Sequence, residues 1–253
     1  MQNNSTSKIS IIITIFVIVF FLVFSFYIKP SNKNIVSDPN KENDQSYIWP
    51  SEELSQGVIN EKDNLYLVDI KYPIVKDENI SKDIKNFIDV QIVQFKADTS
   101  WAIDPSITPA QQQNLSIYIN YQREKNKIAD NYIFTIATYT GGAHGLQLTK
   151  TFVYNKKGIL ISNTDLFSDN KKGLDIVSSF VQKELLNKKV GDASWIENGA
   201  GPIFDNYQVF ILKEDGVEFI FDPYQVASYA EGKQSIVVPF SVFKDFFNSS
   251  IIQ

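Results

Sequence analysis

The sequence predicts an α+β fold, with largely antiparallel sheets and two amphipathic helices packed on them, after one N-terminal transmembrane helix. Three observations carry that prediction. An uncharged apolar run opens the chain and a polar stretch follows it. Two later segments repeat apolar residues at helical spacing, among many that alternate apolar and polar. Short turn signals such as Asn155-Lys156-Lys157-Gly158 and Glu214-Asp215-Gly216 join the alternating segments, which favours antiparallel neighbours.

The opening run, Ile9 to Ile28, is interrupted only by Ser10, Thr14 and Ser25 and holds no charge. A helix of about 20 residues is roughly 30 Å long, the thickness of a bilayer's hydrocarbon core. The run outlasts a signal-peptide core and ends in Phe26-Tyr27-Ile28-Lys29-Pro30, with no small-residue cleavage site. It reads as an uncleaved anchor. Lys8 on one flank and Lys29 and Lys33 on the other leave orientation undecided by charge. A short leader before a large acidic domain is the layout of a signal anchor. The expectation is therefore a single-pass cell-membrane protein with its C-terminal domain extracytoplasmic. Residues 1–8 are then a cytoplasmic leader, 9–28 the anchor and 29–60 a polar stalk with Pro39 and Pro50. Residues 61–253 are the α+β module, with possible halves at 61–168 and 169–253.

Within the module, Leu65–Tyr72 alternates and closes at Pro73, the mark of a strand. Ile80, Ile84, Phe87, Ile88, Ile92 and Phe95 then fall on one helical face, with Asn79 or Ser81 placed to cap it. Leu115–Gln122 and Ile128–Thr140 read as strands around the charged turn Arg123–Lys127. Gly141–Gly145 interrupts, and Leu146–Tyr154 resumes. After Asp169, Leu174, Val177, Val181 and Leu185 line a second helix. Asn206–Leu212 pairs with Val217–Phe221 in a hairpin, Ser235–Phe240 is a last strand, and Val242–Phe247 reads as a short terminal helix.

Composition excludes several chemistries. The 253 residues contain no Cys, which removes disulfides, thiolate zinc sites and cysteine nucleophiles. A single His removes any two-histidine metal site, so no metal and no cofactor are expected. Lys plus Arg number 24 against 29 Asp plus Glu, net −5, which gives no basic footprint for nucleic acid.

Three features remain as carriers of function. His144, in the run Gly141-Gly142-Ala143-His144-Gly145, has the residue type of a general base, but no Gly-x-Ser-x-Gly frame supplies a nucleophile. Its plainer reading is a hairpin connection in which Gly141 and Gly142 take positive φ. The carboxylates Asp215, Glu218, Asp222 and Glu231 admit a glycosidase-like pair. Against that, Asp215 and Asp222 sit in turns and Glu218 alternates towards solvent. The connection Asp222–Gly232 is long for a hairpin and carries Tyr224 and Tyr229, as ligand contacts or as core plugs. Tyr224, next to Pro223, is expected to be the plug and Tyr229 the contact. Trp195 is expected to lean towards the core.

Tyr139-Thr140-Gly141-Gly142-Ala143-His144-Gly145, Phe152-x-Tyr154 with Gly158, and Asp165-Leu166-Phe167 resemble the ectodomain of RsiV-type anti-sigma factors. The same module precedes the catalytic domain of PdaC-type peptidoglycan deacetylases. Asn206-Tyr207-Gln208-x-Phe210, Asp215-Gly216 and Tyr224-Gln225-Val226-Ala227-x-Tyr229-Ala230-x-Gly232 resemble its C-terminal half, with Ser228 where the family commonly has Pro. The resemblance spans roughly residues 60–247. It implies a bacterial extracytoplasmic module tied to cell-wall or lysozyme sensing. A leader of residues 1–8 is too short to hold a sigma factor, and one His cannot furnish a deacetylase's Asp/His/His metal domain.

The expected function is thus a membrane-anchored binding or sensor domain of the bacterial envelope, without catalytic residues. Its expected partners are a cell-wall glycan or a lysozyme-like protein, met through Gly141, Gly142, His144, Asp222, Tyr224 and Tyr229. The alternative is a wall-polysaccharide hydrolase or accessory factor using His144 or the carboxylates near Asp222.

Overall fold

Apolar residues recur every three to four positions from Ile80 to Phe95, and an acidic cap precedes them, so a helix forms there. The computed structural model describes residues 53–62, 64–103 and 115–252, and this helix, α1, spans Glu78–Asp98. Its cap is Asp77 rather than Asn79 or Ser81, because the Asp77 carboxylate accepts the N–H of Asn79 at 2.8 Å and of Ile80 at 3.1 Å. Ser81 instead turns back on Val75, donating to its carbonyl at 3.0 Å and accepting its N–H at 3.1 Å.

Strands β1 (Glu53–Lys62), β2 (Tyr66–Val75), β3 (Leu115–Lys125), β4 (Ala129–Tyr139) and β5 (Leu146–Asn155) form one sheet in chain order. β2 and β3 run parallel, with α1 in the crossover that parallel pairing requires. The other pairs are antiparallel. Residues 53–60 were expected to end the stalk and instead belong to β1. Among its described side chains only Gly57 is buried, beneath the Tyr72 ring, so the strand has no apolar alternation to read. The backbone ladder on the β2 edge recruits it. α1 covers one face of the sheet: Ile80, Ile84, Phe87, Ile88 and Phe95 are buried, and Phe87 meets Phe134 and Phe152 edge-on at 5.3 and 5.6 Å. Burial of each such side chain is worth roughly 1.5–3 kcal/mol.

The second half carries α2 (Asn170–Lys188), α3 (Ala193–Gly199) and the antiparallel sheet β6 (Phe210–Lys213), β7 (Gly216–Phe221) and β8 (Gln234–Pro239). Asp169 caps α2 through the N–H of Lys172 at 3.1 Å. The sequence did not signal α3, a helix of 7 residues too short to show a period; Asp192 caps it through the N–H of Trp195 at 2.8 Å. β6 starts at Phe210, later than expected, because Phe204–Tyr207 forms a 3₁₀ turn that drives Tyr207 into the core. There its hydroxyl donates to the Ala200 carbonyl at 2.7 Å. Val242–Phe247 is not a helix: a 3₁₀ turn at Phe240–Val242 ends early, and Phe247 pairs with Phe167 instead.

The halves share one core. Leu174, Val177, Val181 and Leu185 of α2 pack in the same buried cluster as Phe219 and Phe221 of β7 and as Ala129 and Val153 of the first sheet. Asn131, fully buried on β4, donates to the Leu212 carbonyl and accepts its N–H, each at 3.0 Å. Among the described residues no helix is long and apolar enough to cross a membrane. The expected anchor Ile9–Ile28, the leader before it and the stalk up to residue 52 lie outside the described residues.

Candidate functional site

Two connections from different sheets meet at the site. The first is the β4–β5 connection. Gly141 and Gly142 take φ of +101° and +105°, which L-residues resist, and so the chain swings His144 outward. Gly141 packs under the Trp101 ring, whereas no atom lies within 4 Å of where a Gly142 Cβ would stand. Tyr139 braces the turn by donating to the Gly142 carbonyl at 2.8 Å, and the Trp101 indole N–H donates to the Thr140 carbonyl at 3.3 Å.

The second is the β7–β8 connection, 222–232. The Asp222 carboxylate accepts the outward-facing N–H of Thr149 on edge strand β5 at 2.8 Å, which ties the connection to the first sheet. Burial raises this carboxyl above the ordinary aspartate value, against the lowering effect of Thr149. Its other oxygen is buried with no hydrogen-bond partner. Gln225 fastens the connection further, its side-chain amide donating to the carbonyls of Gly199 and Asn206 at 2.9 Å each. Gly199 permits this approach, since a Cβ there would run into the Gln225 carbonyl. Val226 and Ala227 are the plugs.

Tyr224 is therefore not the plug it was expected to be; it is 47% exposed, and Tyr229 is 40% exposed. Pro223 does not press it inward, because Tyr224 itself takes φ +72° and turns its ring out. Its N–H donates to the Ala227 carbonyl at 3.1 Å, and its carbonyl accepts the Trp195 indole N–H at 3.0 Å. Trp195, expected to lean towards the core, is half-buried and props this backbone.

Three rings converge here. His144 stacks on Tyr229 with centroids 4.4 Å apart and planes 25° apart, and Tyr224 lies 5.6 Å from Tyr229. His144 Nδ1 is 2.8 Å from the Gly145 carbonyl, which can only accept, so Nδ1 carries the proton in the neutral ring. Nε2 then accepts the Tyr224 hydroxyl at 3.2 Å. Both ring nitrogens are thus engaged, and neither meets a carboxylate. Glu218, expected to face solvent, is largely covered and pairs with Lys213 at 3.1 Å. Of the residues singled out from sequence, His144, Tyr224 and Tyr229 come together. Gly141 and Gly142 shape the turn beside them, and Asp222 points away as a tether.

A shallow trough of about 240 Å³ adjoins Tyr229, walled also by Tyr118 and Tyr139. Tyr118 carried a sequence signal, since it alternates out of phase with Ile117 and Ile119; its approach to Tyr229 did not.

Residues 164–241 match the model of DUF3298, described as a protein of unknown function. The DUF3298 match runs from the 3₁₀ turn Asn163–Leu166 that precedes α2 through β8 and so includes Asp222, Tyr224 and Tyr229, while the His144 connection precedes it. Over 187 residues the chain is 30% identical to the peptidoglycan-N-acetylmuramic acid deacetylase PdaC of Bacillus subtilis, covering 72% of this chain and 39% of that protein. The likeness to PdaC-type deacetylases expected from the motifs is borne out, and the chain spans well under half of that relative. Two solved DUF3298 structures share the fold. One, from Bacteroides fragilis, has TM-score 0.56 and 19% identity, covering 81% of this chain and 98% of its own. The other, from Pseudomonas aeruginosa PAO1, has TM-score 0.53 and 16% identity, covering 81% and 97%.

Proposed function

We propose that this chain is an envelope-facing binding module, held at the membrane by Ile9–Ile28, which takes cell-wall glycan on the ring cluster of His144, Tyr224 and Tyr229. The single observation that carries this reading is the exposed stack itself. Tyr224 and Tyr229 keep large rings at the surface, where burial would have stabilised the fold, and Tyr224 adopts a strained backbone to do so. Such rings present apolar faces with polar edges at little cost in side-chain entropy, which suits a sugar ring. The likeness to a peptidoglycan deacetylase supports the envelope setting. A protein partner of the lysozyme type, suggested by the RsiV-type resemblance, is the second reading, and the same exposed tyrosines favour it.

The hydrolase reading is weakened at three of its residues. One Asp222 oxygen is held by Thr149, Glu218 pairs with Lys213, and both His144 ring nitrogens are engaged, by Gly145 and Tyr224.

The test is co-sedimentation of the full-length chain, in mild detergent, with purified insoluble peptidoglycan. Tyr229→Ala should weaken binding about thirtyfold while melting stays near that of the parent. Equal binding by parent and variant would overturn the site. Placement is tested separately: protease added to intact cells should remove the module, with the mature chain still beginning near Met1.

A further inference from the structure

The trough beside Tyr229 is built by strand register. Tyr118 on β3 pairs with Ala137 on β4, and Ala137 pairs with Gln147 on β5, so the three side chains form one row across the sheet. Alternation sends this row to the face opposite Ile117, Ile119 and Ile136. Ala137 is the floor because it is small, and Tyr118 and Gln147 rise on either side of it. Tyr139 stands in the next row, paired with Ser116. Tyr229 reaches over from the other half of the molecule to close the end.

Two properties narrow the occupant. No charged side chain lines the trough: its polar atoms belong to serine, threonine, glutamine, tyrosine hydroxyl and backbone groups. An ion of either sign would find no opposite charge there to offset its desolvation, and an anion would also meet a chain of net charge −5. The volume, about 240 Å³, falls below the roughly 300–1,000 Å³ of sites that enclose a whole small molecule. It suits one ring of something longer. Tyr229 is common to the trough and to the stack with His144 and Tyr224, so a ligand leaving the trough passes directly onto those rings.

We infer that the trough is a second sugar subsite, and that the ligand is an uncharged linear oligosaccharide running from the Tyr118–Gln147 row onto the Tyr229 stack. This rests on the glycan reading above and adds to it a direction, a charge and two residues, Tyr118 and Gln147. Tyr118 supplies a face for the sugar ring, and the Gln147 amide hydrogen-bonds its acetamido or hydroxyl groups.

The test titrates the full-length chain with N-acetylglucosamine oligomers of increasing length and with the cationic glucosamine oligomers of the same lengths. Affinity for the uncharged series should climb about tenfold or more once the chain is long enough to span both places. In Tyr118→Ala that climb should vanish, while the shortest oligomer binds within about twofold of the parent. Gln147→Ala should weaken only the longer oligomers, and Tyr229→Ala should weaken every length. The cationic series should bind at least about tenfold more weakly. A length dependence unchanged in Tyr118→Ala, with Tyr229→Ala still weakened throughout, overturns the second subsite and leaves the first. Indifference of oligomer and wall binding to both tyrosines overturns the glycan site as well. No binding of uncharged oligomers, together with binding of a lysozyme that Tyr118→Ala abolishes, assigns the trough to a protein partner and overturns the inference.

Discussion

The Tyr224 hydroxyl donates to Nε2 of His144 across 3.2 Å, although eighty residues and a change of sheet separate the two. The contact exists because each residue is turned outward by backbone that ordinary side chains avoid: paired glycines before His144, and a positive φ at Tyr224 itself. Only the Tyr224 side of this exposed contact is strained, since glycine takes positive φ freely.

The strain at Tyr224 is measurable. A non-glycine residue in the left-handed region costs about 1–2 kcal/mol, which glycine escapes, though glycine gives back part of that in unfolded-chain entropy. Tyr224→Gly should therefore be more stable than Tyr224→Ala by about 1 kcal/mol in urea unfolding. Both lose the His144 contact equally, so the difference isolates the backbone. An Ala variant as stable as the Gly variant would show that φ relaxes in solution.

The two loop glycines separate conformation from crowding. Gly142→Ala meets open space and should cost about 1–2 kcal/mol through φ alone. Gly141→Ala has the same φ problem and also places its Cβ 3.0 Å from the Trp101 ring, so it should cost more. Thermal melts of the two variants, with Gly141→Ala,Trp101→Leu as a relief variant, check the order.

Asn131 joins the two halves. Asn131→Ala leaves the Leu212 N–H without its side-chain acceptor and the Leu212 carbonyl without one donor, both buried, and should destabilise by about 2–4 kcal/mol. Unfolding should remain a single transition, since the apolar cluster still spans both halves. Two separated transitions would show that this amide pair, rather than the shared core, makes the halves cooperate.

Asp222 gives stability a pH dependence of definite sign. Burial raises its folded-state carboxyl above the ordinary value of 3.8. A raised carboxyl contributes its full stability below the unfolded value and loses it as pH rises through the folded one. The parent should therefore lose stability relative to Asp222→Asn as pH climbs from about 4 towards neutrality, the asparagine still able to accept the Thr149 N–H. Parallel stability curves across that range would place Asp222 in a more solvated position than the fold gives it.

Much of the frame was legible in the sequence. Ile80 to Phe95 and Leu174 to Leu185 disclosed their helices because a buried helical face must repeat every three to four residues. Leu115 to Tyr121 disclosed its strand because one face is buried and the other is not. Gly141 and Gly142 announced positive φ, since little else tolerates it, and the tyrosines of the long connection were legible only as plugs or contacts. β1 was not legible, because it is held by backbone pairing and buries little. α3 was not, because seven residues cap and end before a period appears.

What tertiary structure alone decided was which surfaces meet. Local sequence could limit Tyr224 to plug or contact, yet the choice depended on Trp195, Ala227 and Gln225, which hold its backbone from other parts of the chain. Asp222 looked like one of a carboxylate group and became a tether because the N–H of Thr149 on an edge strand needed an acceptor. Tyr118 and Gln147 gained a trough only because register set them on either side of Ala137 and because the second sheet delivered Tyr229 above them. The sequence determines periodicity and turns because these arise from neighbours along the chain. Residues far apart are brought together by the packing of two sheets around one core, and the cluster of His144, Tyr224 and Tyr229 forms there.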